Sequence, residues 1–100
     1  MAGIINGRLT ASSKGREPIR FTVLPTLIKY LLLEVPPENK GDVYIGGSTV
    51  ASNNAPVIAK GTTREFTFRH DAKETPGDLS NLYVNFEHNG DVINYLAITV

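Results

Sequence analysis

Cysteine and tryptophan are absent from these 100 residues, and there is a single methionine. Without cysteine, no disulfide, thiolate metal site or thiol nucleophile can be built. An excess of charge of either sign is missing too, because ten basic residues balance ten acidic ones. No global field therefore favours nucleic acid or an anionic membrane, and neither is expected as a partner. Long apolar runs are also missing: Leu31-Leu32-Leu33 is bounded by Glu34, with Lys29 close by, far short of the ~20 residues of a membrane span. The opening Met-Ala-Gly-Ile-Ile has neither the basic n-region nor the apolar h-region of a secretory signal, so the expectation is a soluble product of the cytoplasm.

What is present is a foldable composition, 41% hydrophobic and 20% charged, in a length that suits one core and not two. Short β-branched and aromatic stretches alternate with Gly, Pro, Asn and Asp clusters, which predicts a single antiparallel β-sandwich of about eight strands. Jelly-roll and immunoglobulin-like topologies both fit. Residues 1–14 form an N-terminal arm or an edge strand, and 15–100 the sandwich.

Alternation places Ile19, Phe21 and Val23 on one face of a half-buried strand. Leu27 to Val35 is confined by Pro25 and by Pro36-Pro37; that leaves too few turns for a good helix, so the segment is expected to be a central strand buried on both sides. Asp42 to Ile45 and Val57 to Ala59 are short extended pieces, separated by Gly46-Gly47 and the loop Ser52 to Pro56. Thr63 to His70 points Phe66 and Phe68 into the core. Leu79 to Glu87 and Asp91 to Val100 are expected to form a hairpin through a type I′ turn at Asn89-Gly90. Near the start, Ile4-Ile5 and Leu9 could instead pair around Asn6-Gly7.

No constellation for catalysis emerges. His70 and His88 each stand beside an acid at a strand end, but a metal site generally needs three or four convergent ligands. The acids Glu65, Asp71, Asp78, Glu87 and Asp91 are expected on solvent faces or in turns, with nothing to separate their pKa values as acid–base work requires. None of the serines lies in a Gly-x-Ser-x-Gly elbow. Gly46-Gly47-Ser48 lacks the lysine and the following helix of a phosphate loop. An enzyme is not expected, and no cofactor or metal is implied. Tyr30, Tyr44, Tyr83 and Tyr95 keep a sugar-stacking surface open, with Tyr44, Tyr83 or Tyr95 as its platform.

Asp42-Val43-Tyr44-Ile45-Gly46-Gly47-Ser48-Thr49-Val50, then Asn53-Asn54-Ala55-Pro56 with its following apolar residues and Gly61, resembles a pattern common in small tailed-phage structural proteins. Asp78-Leu79-Ser80-Asn81-Leu82-Tyr83-Val84 resembles their strand entry. The similarity runs from Leu27 onward, and the charged stretch from Asp71 to Gly77 is longer than the pattern. The resemblance implies a virion protein, made in the host cytoplasm, that decorates the head and clamps the major capsid protein or another virion protein. It carries no catalytic residues. A tail or neck protein of the same particle and a carbohydrate-binding module are the alternatives, and a dimer or trimer of the chain is left open. Partner contacts are expected from Ile4, Ile5 and Arg8 and from the loops bearing Asn53, Asn54, Lys73 and Glu74.

Overall fold

Strict alternation governs the first strand, β1 (Ile4–Thr10): its odd residues turn inward and its even ones outward. The computed structural model describes residues 3–11, 17–51, 54–68 and 77–100. Along these run β2 (Ile19–Arg20), β3 (Leu27–Val35), β4 (Val43–Gly46), β5 (Val57–Ile58), β6 (Thr62–Thr67), β7 (Gly77–Asp78), β8 (Tyr83–Phe86) and β9 (Val92–Thr99). A single 3-10 turn, Leu79–Asn81, precedes β8.

Two antiparallel sheets pack face to face. Sheet A has the order β1-β9-β3-β6, with β7 on the start of β3; sheet B has the order β2-β8-β4-β5. The chain thus swaps sheets at almost every connection, and this interleaved order is that of a jelly roll. It settles the choice that the sequence leaves open.

The space between the sheets is filled by Ile28, Leu31, Leu33, Val35, Ile93 and Ala97 from sheet A and Val43, Ile45, Ile58, Val84 and Phe86 from sheet B. Several of these are fully buried, each contributing roughly 2 kcal/mol. Ile28 and Leu31 could not both face inward in a regular period-2 strand. A register shift between Ile28 and Tyr30 moves the alternation by one and lets them do so.

Several expectations need correction. β8 and β9 are not a hairpin: β8 pairs with β2 and β4, whereas β9 pairs with β1 and β3. The Asn89-Gly90 segment carries the chain across the core from one sheet to the other. Only Gly90 has positive φ (87°), not Asn89, so the turn is not type I′, which needs both. β2 ends at Arg20, and Val23 is 73% exposed instead of sharing the buried face of Phe21. β3 is the expected strand, but only one of its faces is fully buried; Tyr30 and Leu32 on the other are partly covered, and Glu34 is exposed. Phe66 and Phe68 pack on the core from its margin, half-buried.

Three of the five acids expected in solvent are instead structural. Asp91 is 5% exposed and accepts the backbone N–H groups of Lys40 (2.9 Å) and Gly41 (2.9 Å). Beside it Asn39 copies a strand, donating to the Val92 carbonyl and accepting from the Val92 N–H. Glu87 accepts from the Asp42 N–H. At the opposite end Asp78 accepts from the Thr26 N–H and from the N–H and hydroxyl of Ser80. Those bonds, with a smaller contribution from the charge of Arg20, hold its carboxyl below the ordinary carboxylate range.

Candidate docking surface

The outer face of sheet A is written by the registers of its strands. One row crosses the sheet as Ile4, Ile98, Tyr30 and Thr67, the next as Asn6, Leu96, Leu32 and Glu65, the third as Arg8, Asn94, Glu34 and Thr63. The third row is a polar chain: Arg8 Nε donates to Asn94 Oδ1 (2.7 Å), and Asn94 Nδ2 donates to Glu34 Oε1 (2.8 Å). The first two rows are largely apolar. A hollow of about 300 Å³ lies between them and the polar row, lined by Asn6, Leu32, Glu34, Thr63, Asn94 and Leu96 among others. Tyr30, in the first row, has its hydroxyl pKa raised by burial first and then by the Glu65 carboxylate, to which it hydrogen-bonds.

Sheet A also has two open edges. Ala11 N–H donates to the Asp91 carbonyl and Thr99 N–H to the Gly3 carbonyl. The odd residues of β1 therefore bond β9, and the N–H and C=O groups of Ile4, Asn6, Arg8 and Thr10 point away from the sheet. At the far side Phe68 N–H donates to the Lys29 carbonyl, so the even residues of β6 face β3 and Thr63, Glu65 and Thr67 are the outward ones. Among the described residues no strand pairs with either edge. β1 carries no proline or bulge to blunt it and a single charge, Arg8, few of the usual protections of an edge.

A second cleft, about 260 Å³ and almost wholly apolar, opens between the sheets at the β6 side, lined by Leu31, Ile45, Pro56, Phe66, Phe68 and Leu82 among others. Above it Arg64 reaches across to the Val57 carbonyl (3.2 Å) and closes the rest of that side.

Of the residues expected to make contacts, Ile4 is 70% exposed on the outer face, and Arg8 lies on that face at the polar row. Ile5 points inward and packs, half-buried, against the margin of the core instead of the outer face. Asn54 has a local duty: its amide donates to the Thr49 carbonyl and its oxygen accepts from Ala51 N–H, bracing the loop. Asn53, Lys73, Glu74, His70 and Asp71 lie outside the described residues. The structure thus gathers Ile4 and Arg8 on one surface and leaves Asn54 as scaffold.

Residue order alone did not reveal the partnership of Leu32, Leu96 and Ile98 with Tyr30 on that face, or the exposed pair Val23 and Leu24 (73% and 70%) in the connection before β3. The double-sided apolar pattern of β9 carried a signal for the first. Nothing marked the second except Pro25, which ends extension.

Among the described residues no cluster of three or more His, Asp or Glu could hold a metal ion. His88 is exposed and lies where a side chain at Gly41 would collide with it. Gly46 leaves space for Val50, which folds back over sheet B, a packing role and not a phosphate cradle. Of the three proposed stacking rings, Tyr95 is committed inside, edge-on to Phe21 at 5.2 Å and against Gly7. Tyr83 lies under the Arg20 guanidinium at 5.8 Å. The Tyr44 hydroxyl is raised in pKa by burial and by Glu87 and Asp42.

No protein-family profile matches the chain, and no curated protein is significantly similar to it. Among solved structures it is similar to a chain of the Bacillus endospore appendages, described as a novel family of disulfide-linked pili. That likeness has a TM-score of 0.58 at 18% identity and covers 98% of this chain and 84% of the other. Identity this low shows a shared β-sandwich fold and nothing finer.

Proposed function

We propose that this chain is a non-catalytic structural protein that docks into a repeated assembly, and in its specific form a head decoration protein of a tailed phage. The observation that carries docking is sheet A: an apolar patch of Ile4, Ile98, Tyr30, Leu32 and Leu96 on its outer face, continuous with an open seven-residue edge strand, β1. A surface of this kind offers backbone hydrogen bonds along its edge and apolar area on its face, which is what strand addition and lattice clamping use. The phage setting rests on the sequence resemblance around Asp42–Val50 and Asp78–Val84. Jelly rolls are frequent in capsid proteins and also in lectins, so the fold is compatible with that setting without selecting it.

The test is to mix the purified protein with undecorated heads. Co-sedimentation at a saturating ratio, with heads that then resist heat better, is the expected result. Protein left in the supernatant at every ratio overturns the head assignment. Binding to tails or necks alone would move the protein along the same particle.

A second reading, a subunit of a homopolymeric fibre, is favoured by the likeness to a pilus chain and by the two open edges of sheet A. Any such fibre would be held without disulfides between these residues, which contain no cysteine. Negative-stain images of the concentrated protein alone, showing fibres or only small particles, decide it.

A further inference from the structure

We propose that sheet A continues from one copy of this chain into the next, the β1 edge of one pairing with the β6 edge of another. Two matches between the two edges, polarity and charge, point to a second copy as the occupant. The first is polarity: every pairing in the order β1-β9-β3-β6 is antiparallel, so β1 and β6 run in opposite directions. Sliding a second copy sideways in the plane of the sheet therefore brings β1 against β6 as an antiparallel pair, without turning either molecule over.

Parity follows from that polarity in a regular antiparallel sheet. On β1 the residues whose backbone groups point off the edge are the even ones, and their side chains occupy the outer face. On β6 the edge-pointing residues are Thr63, Glu65 and Thr67, also on the outer face. A hydrogen-bonded pair across the junction thus joins two outward-facing residues. Inward residues then meet inward ones, and the pleat runs through unbroken.

The second match is charge. Among the outward residues of the two edges β1 bears one charge, Arg8, and β6 bears one, Glu65. The register that pairs the partner's Arg8 with Glu65 also pairs the partner's Asn6 with Thr67 and the partner's Thr10 with Thr63, closing about six backbone hydrogen bonds. Its inward side places the partner's Gly7 beside Phe66 and the partner's Ile5 beside Phe68, at the mouth of the 260 Å³ apolar cleft. The partner's Leu9 falls beside Arg64, whose head is already turned away to the Val57 carbonyl. The Nε bond to Asn94 uses one of the five N–H donors of Arg8.

Such a junction is heterologous and open-ended. With strands rotating by roughly 20–25° each, four strands turn successive copies by about 90°, giving a twisted fibre and not a flat ribbon. The inference rests on the assignment of the chain as an assembly component and deepens its fibre reading by naming the two strands and the register of the junction.

The experiment is sedimentation velocity on the whole chain from micromolar to millimolar concentration. Wild type is expected to assemble as concentration rises. Asn6→Pro removes one N–H that points off the edge and none of the bonds to β9, and should raise the concentration needed for assembly by about tenfold or more. Arg8→Glu and Glu65→Lys should each weaken assembly alone, and an equimolar mixture of the two should restore it through alternating copies, which misfolded variants could not do. Because the chain lacks cysteine, Asn6→Cys with Thr67→Cys supplies a second readout. The two positions stand at opposite edges of one sheet, about 14 Å apart, too far to bridge within a molecule. Oxidation should give a ladder of dimers and higher species, much stronger than that from Thr10→Cys with Thr67→Cys. A wild type that stays monomeric at millimolar concentration, a mixture that fails to rescue, or equal ladders from both cysteine pairs overturns the inference. A monomer that still sediments with heads would sink this junction and leave the decoration role standing; assembly without head binding would do the reverse.

Discussion

The two sheets present opposite solutions for their outer faces. Sheet B is covered by its own chain: the loop after β4 folds back so that Val50, 4% exposed, rests against Gly46. There the Asn85 side chain, buried and not solvated, donates to the Val50 carbonyl at 2.9 Å. Sheet A has no such cover among the described residues, although Leu32, Leu96, Ile98 and Tyr30 give its outer face comparable apolar character. One sheet spends loop residues to finish itself, and the other leaves its face and both edges for something outside the fold. The difference separates stability from function: side chains over sheet B should matter for folding, and those over sheet A for association.

The sharpest way to break that division is to attack what ties the sheets together at the β9 entry. Asp91→Ala strips the acceptor from the Lys40 and Gly41 N–H groups in a nearly buried site. About 3 kcal/mol of stability should be lost, because the buried donors stay unpaired. Urea denaturation measures it; a loss below about 1 kcal/mol would mean that water replaces the carboxylate readily. Next in size, Val50→Ala should cost about 1.5 kcal/mol by uncovering sheet B, visible as a lower thermal midpoint. If that change proved neutral, the cover would be ornamental and the contrast between the sheets would fail.

A smaller effect appears only in acid. Asp78 is held below the ordinary carboxylate range by its bonds from Thr26 and Ser80. Its folded pKa is lower than its unfolded one, so the carboxylate contributes stability that is fully present above about pH 4 and is lost as pH falls through the folded value. Asp78→Asn should be less stable than wild type near pH 7, with the gap closing in strong acid. A gap independent of pH would show that geometry, and not charge, is what the bonds supply.

Much of the layout was legible from residue order. Local signals carried it: alternation identified the inward faces of Phe66 and Phe68, the confining prolines identified the strand from Leu27 to Val35, and turn residues bounded the extended pieces around Val43 and Val57. They failed wherever the answer depended on which sheet a strand enters. Asn89-Gly90 looks like a hairpin because turn chemistry is local, yet Ala11 N–H bonding the Asp91 carbonyl and β9 pairing with β1, some ninety residues away, take β9 into the other sheet. Asp91 read as a solvated turn residue because its two partners, at positions 40 and 41, are distant in sequence. The docking surface was half legible. Ile4 and Arg8 were named from the N-terminal segment, but Leu96 and Ile98 share a strand with Ile93, Tyr95 and Ala97, and alternation cannot say which of two apolar faces is inside. Only the packing of Ile93 and Ala97 against sheet B decides it.

The smallest expected change on folding is therefore the most informative about function. Leu96→Ala removes a partly covered side chain from the outer face of sheet A, where no core void is left behind. Stability should move by no more than about 0.5 kcal/mol, as for surface substitutions in general. Association should nevertheless weaken measurably, since Leu96 and Leu32 form the apolar centre of that face and the residues that carry binding tend to lie near the centre of a contact. Pairing the melt with a head-binding or self-assembly titration checks both halves. A large loss of stability would place Leu96 in the core's service and make sheet A as self-sufficient as sheet B. An unchanged melt with unchanged association would show that partners use the edges of sheet A without touching its face.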